Sequence, residues 1–171
     1  MNSGIELVNR ISKSSLITIK LEDFFPENEI LVFDLKDYLF QGLILKEMDF
    51  RAALKSHDWS QYQHHILAVY CSTDAIIPTW AYMLVASHAT EKASDIYFGD
   101  KDAALRNFFT NKIRNMEPEE YRDAKLVIKG CSDKPVPASA YLDLTAHLSP
   151  VAQSIMYGEP CSTVPVYKRK A

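Results

Sequence analysis

The sequence predicts a single α/β domain over residues 1–171, with a mixed sheet, helices packed on it, and two similar strand–loop–helix units. Three observations lead there. Short, fully apolar runs such as Ile66–Tyr70 read as buried strands, and they alternate with segments of helical period. The chain also writes one sentence twice. Residues 67–88 align with 126–147 at an offset of 59, with Leu67/Leu126, Asp74/Asp133, Pro78/Pro137, Ala81/Ala140, Tyr82/Tyr141 and His88/His147 identical. A strand, a polar loop and a helix used twice is the reading of such an echo. Finally, 171 residues with 47% hydrophobic and 24% charged side chains suit one soluble globular domain with a good core.

The elements follow in order. A short helix is expected near residues 6–11. Residues 16–21 alternate, with Ile17, Ile19 and Leu21 on one side, and predict a half-buried strand. Pro26 marks a turn, 30–33 a strand, and 34–38 is ambiguous. Residues 43–45 read as a strand beside Gly42, and Asp49 as the cap of a helix over 50–56. Residues 59–65 read as a loop carrying aromatics and histidines. Pro78 fits the first turn of a helix over 79–92, apolar nearly all round and expected between layers. Asp95–Phe98 reads as a short strand or a loop, closed by Gly99. Asp100 or Asp102 caps a helix to about 115, with Leu105, Phe108, Phe109, Ile113 and Met116 in one stripe. After the strand at 126–128 a helix starts near Ala138. Ser149-Pro150 is expected to start another, ending at Gly158. Residues 164–167 read as a last strand, which Pro165 confines to an edge.

Charge and cysteine usage narrow the function. A formal net charge of −3 offers no basic field to nucleic acid, and the basic 168–170 tail is too short for a nucleic-acid arm. No apolar run reaches the length of a membrane span, and the first residues lack the pattern of a signal peptide. Three widely spaced cysteines fit a reducing, cytoplasmic setting better than a disulfide framework. A protein partner is compatible with this composition, and the oligomeric state is left open.

Cys71, Cys131 and Cys161 lie in polar loops, and Cys71-Ser72-Thr73-Asp74 and Cys131-Ser132-Asp133 pair a thiol with a carboxylate. Soft thiolates with a carboxylate suit zinc or iron, so Cys71, Asp74, Cys131, Asp133 and Cys161 form the expected ligand pool. Two parallel strand–loop–helix units in one sheet would put both loops at its carboxyl edge, where α/β folds bind ligands. Other readings stand beside this one. Cys131, near an expected helix N-terminus, could be the nucleophile of a thiol enzyme. The aspartates could be helix N-caps and the cysteines packing residues of a non-enzymatic interaction protein. Anion binding at the loop hydroxyls is a weaker option, because the glycines of a phosphate loop are missing. His57, His64 and His65 read as solvated loop residues, and His88 and His147 as late helix residues with satisfied hydrogen bonds.

The stretch Tyr70-Cys71-Ser72-Thr73-Asp74-Ala75-Ile76-Ile77-Pro78-Thr79-Trp80-Ala81-Tyr82 and the stretch from Gly158 to Lys168 resemble those of an uncharacterised bacterial family, a domain of unknown function, over nearly the whole chain. That resemblance implies a family and no activity. Ile128-Lys129-Gly130-Cys131-Ser132 and Cys161-Ser162-Thr163 are also similar to cysteine segments of U-type iron–sulfur scaffold proteins, which hold metal with three cysteines and an aspartate. The first segment departs, because Ser72-Thr73 separates Cys71 from Asp74. This looser likeness implies a metal-binding accessory of iron–sulfur cluster assembly.

Overall fold

The structure, a computed structural model, describes residues 16–130, 133–159 and 162–170. The expected helix near 6–11, and Cys131 and Cys161, lie outside them. The fold is α/β, with four α-helices and two sheets among the described residues. The chain divides into two compact units: a continuous one, Pro26–Phe108, and a split one, Met1–Phe25 with Phe109–Ala171.

The continuous unit holds a parallel sheet of order β2-β3-β4, with β2 at Ile30–Asp34, β3 at Ile66–Tyr70 and β4 at Asp95–Phe98. Ile66, Leu67, Ala68 and Val69 are all buried, as a central parallel strand covered on both faces requires. Helix α1, Glu47–Ser56, buries Phe50 and Leu54, one turn apart. Helix α2, Thr79–Ala89, buries only Ala81, Val85 and Ala89. The expectation that this helix lies between layers fails, because Met83 is 68% exposed. Three small or β-branched side chains at a spacing of four make one narrow packing stripe. A 3₁₀ turn, Leu35–Tyr38, replaces the ambiguous stretch, opened by Asp34, whose carboxylate accepts the Lys36 N–H. The strand expected at 43–45 reduces to a single bridge between Phe40 and Ile44, with Leu43 and Ile44 exposed.

The split unit holds a sheet of order β1-β5-β6-β7: β1 is Leu16–Ile19, β5 Lys125–Ile128, β6 Ser154–Glu159 and β7 Ser162–Lys168. The first three are parallel and β7 is antiparallel, so this sheet is mixed. Pro165 sits on the edge strand, as its missing N–H demands. Helix α3, Lys101–Arg114, contains the boundary between the units; Asp100 accepts the Ala103 N–H at its start, and Phe109 and Ile113 are buried. Helix α4, Ala138–Leu148, buries Ala140, Leu144 and Leu148.

Two expectations need correction. No helix starts at Ser149: it is the C-cap of α4, its hydroxyl donates to the Thr145 carbonyl, and the following segment is β6 with Ile155 fully buried. The two strand–loop–helix units also do not share a sheet, since β3 lies in one sheet and β5 in the other. Their likeness is nonetheless close. Every element from the 3₁₀ turn Trp59–Tyr62 through β3 and α2 has a counterpart 59 positions later: the 3₁₀ turn Pro118–Tyr121, β5 and α4. The burial pattern along α2 repeats residue for residue along α4.

Candidate functional site

The loop after each central strand is tied down by a carboxylate from the strand beside it. In the continuous unit Asp34, at the end of β2, accepts the backbone N–H of Ser72 at 3.0 Å. Burial works against ionisation of Asp34, but hydrogen bonds from Ser72 and Lys36 and the Lys36 charge outweigh it and lower its pKa. Cys71 is half-buried, with its sulfur 3.3 Å from the Thr73 hydroxyl. Asp74 is exposed.

In the split unit Glu22, just past β1, does the same work with a longer side chain. One oxygen accepts the Asp133 N–H at 3.2 Å, and the other lies 3.6 Å from the Lys129 ammonium. Lys134 donates to the Glu22 carbonyl and lies 5.4 Å from the centre of the Phe25 ring. A Cβ at Gly130 would fall 2.9 Å from the outer end of the Tyr157 ring, which would have to shift. Tyr157 meets Tyr141 edge to face, and with Gly130, Lys134, Pro135, Val136 and Ala138 they line a hollow of about 520 Å³.

The carboxyl ends of β5 and β6 lie side by side. Their register ends on the pair Ile128 and Tyr157, which Gly130 and Glu159 each follow by two residues. Among the described residues, a buried carboxylate oxygen of Glu159 has no hydrogen-bond partner. Gly158, at φ +123°, lets the chain bend directly before it, where a side chain would meet the Ser162 carbonyl.

These facts sort the expected site residues. Asp133 belongs to the split unit, at the loop after β5. Cys71 and Asp74 belong to the loop after β3, so the shared sheet edge that was to join the two loops does not exist. Among the described residues no group of three or more His, Cys, Asp or Glu could hold a metal ion. Neither aspartate is a helix cap: Pro78 and Pro137 occupy the N-cap positions, with no side-chain hydrogen bond. Cys131 lies outside the described residues, six positions before Pro137, so the expectation of a helix N-terminus beside it falls outside them too. His147 has the hydrogen bond expected of it, 3.0 Å from the Met116 carbonyl. His57 is not a solvated loop residue; it sits half-buried among aromatic rings. Sequence reasoning missed Asp34, Glu22 and Glu159. Each is an acid at or just beyond the end of an apolar run, and that is the signal which could have found them.

The family model described as "Protein of unknown function (DUF2480)" matches residues 5–169. No curated protein and no solved structure matches the chain. The likeness to U-type iron–sulfur scaffold proteins gains no support from these comparisons. The chain belongs to the DUF2480 family.

Proposed function

We propose that this DUF2480 chain binds a metal ion, zinc or iron, at the carboxyl edge of its four-stranded sheet. The ligands would be Cys131 and Cys161 with a carboxylate from Glu159 or Asp133. One observation carries the reading: β5 and β6 are adjacent and parallel, their last paired residues are Ile128 and Tyr157, and the two cysteines follow these by three and four residues. Neighbouring strands run about 4.8 Å apart, and thiolates on one zinc lie within about 4 Å of each other. The short reach from the strand ends is compatible with that spacing.

The Glu159 oxygen that has no partner among the described residues adds to the argument. A buried carboxylate oxygen is costly unless something charged or hydrogen-bonding meets it. A cation between two thiolates and that oxygen would satisfy it. Cys71 and Asp74 have no comparable neighbour argument, so the proposal narrows the ligand pool to the split unit. The fold itself lends nothing to a role in cluster assembly.

Elemental analysis of the purified chain tests the reading. Near one equivalent of zinc or iron per chain is expected, lost in Cys131→Ser and in Cys161→Ser and kept in Cys71→Ser. Trace metal in the parent chain, unchanged in all three variants, would remove the proposal.

A further inference from the structure

The continuous unit contains a titratable group whose proton can be placed by hydrogen-bond bookkeeping. His57 is the C-cap residue of α1. Its Nδ1 lies 3.2 Å from the Tyr38 hydroxyl, and its Nε2 lies 3.1 Å from both the Tyr62 hydroxyl and the Gln61 side-chain nitrogen. The Gln61 amide is oriented independently, since the same nitrogen donates to the Asp58 carbonyl at 2.8 Å. Turning the amide over would set two carbonyl oxygens against each other. Gln61 therefore presents N–H to Nε2, and Nε2 must accept.

Tyr62 points the same way. It is 4% exposed, and burial, with Tyr38 adding to it, pushes its phenol up to about 12. Its hydroxyl therefore keeps its proton at neutral pH and can donate it to Nε2, sharing the one lone pair there with the Gln61 N–H. The ring is neutral with its proton on Nδ1, and that N–H is given to the Tyr38 oxygen. If Nε2 carried the proton instead, the Gln61 N–H and the Tyr62 O–H would both lose this acceptor.

We propose that His57 is a proton-operated latch closing the corner between α1 and the Trp59–Tyr62 turn. A proton taken from solvent onto Nε2 turns an acceptor into a donor facing two donors. Tyr62 must reverse its hydroxyl and Gln61 must leave, so the turn opens. The groups packed around the ring do little to favour the charged form. They are Phe33 from β2, Tyr38 from the Leu35–Tyr38 turn, and Asp58, Trp59, Gln61 and Tyr62 from the following turn; His88 of α2 stacks on Trp59. Burial lowers the His57 pKa, and only the Asp58 charge acts the other way. The sign follows: the unfolded chain, with an ordinary histidine near 6.5, takes the proton first. Stability of this corner is full above about pH 6.5 and falls below it, levelling only under the folded pKa.

Nitrogen-detected NMR of the whole chain reads the tautomer, and amide hydrogen exchange reads the latch. Nδ1 protonation is expected near pH 7.5, with exchange over 56–65, corrected for intrinsic rates, accelerating roughly tenfold on acidification to about pH 5. His57→Gln should abolish that acceleration. Should that variant fail to fold, Gln61→Glu supplies an acceptor for Nε2–H and should raise the His57 midpoint by about one pH unit. An Nε2-protonated ring near neutrality, equal acceleration in His57→Gln, or an unmoved midpoint in Gln61→Glu would each overturn the proposal.

Discussion

Glu22 is a single side chain holding the loop that runs into Cys131. Its two oxygens engage Lys129 and the Asp133 N–H, on either side of the proposed ligand, and both members of the ion pair are mostly covered. Glu22→Gln weakens both contacts and is expected to cost about 1 kcal/mol. The loss should be read locally, as faster amide exchange at Asp133. Asp34 plays the corresponding part for the loop after β3, and its lowered pKa makes that part pH-dependent. The folded carboxyl titrates below its unfolded value of about 3.9, so its contribution is present above that pH and lost as pH falls through the folded pKa. Asp34→Asn should remove this acid limb and cost about 1–2 kcal/mol near neutrality, measured by denaturant midpoints at several pH values. Gly130→Ala tests the close approach to Tyr157. A Cβ at 2.9 Å forces the ring to shift, but Tyr157 is 42% exposed and can turn aside, so a loss of less than about 1 kcal/mol is expected in the same measurement.

At the scale of elements, the equivalence of α2 and α4 makes a quantitative claim. Val85 and Leu144 occupy the same position in the two helices, 59 residues apart, and both are fully buried. Leu144→Ala should cost about 2–5 kcal/mol and Val85→Ala less, because fewer buried methyl groups are removed. Substituting Met83 or Leu142, which are 68% and 69% exposed, should change stability by less than about 0.5 kcal/mol. Strands and helices with a single strong period were legible: β3, α3 and α4 stand close to where apolar patterning puts them, while 95–98, open between strand and loop, is the strand β4. Residues 149–158 misled, because Ser-Pro and Gly mimic helix punctuation while Ile155 and Tyr157 carry a strand. Extending the offset of 59 past His88 sets Asp95–Phe98 against Ser154–Met156 and Tyr157, and that would have predicted β6.

For the whole molecule, the echo was legible and its placement was not. Two strand–loop–helix units fit one sheet as well as two, and periodicity carries no information on strand neighbours. The deciding element is near the amino end, where β1 joins β5 and β2 joins β3. The Leu21–Phe24 and Leu35–Tyr38 turns that follow these strands match at an offset of 14, with Leu21/Leu35 and Asp23/Asp37 identical. Each unit thus takes one copy of this short strand-and-turn piece, and each copy brings the acid that ties down the loop, Glu22 or Asp34. The cysteines were visible as a residue type. The grouping proposed for two of them was not, because it depends on which strands are neighbours.

That grouping is most directly tested by cobalt(II) titration of the whole chain, because thiolate bonds to cobalt give intense near-ultraviolet absorption. The account predicts saturation at one equivalent per chain, with that absorption lost in both Cys131→Ser and Cys161→Ser and intact in Cys71→Ser. A chain that takes up no cobalt, or whose thiolate absorption survives loss of Cys131 and Cys161, would contradict it.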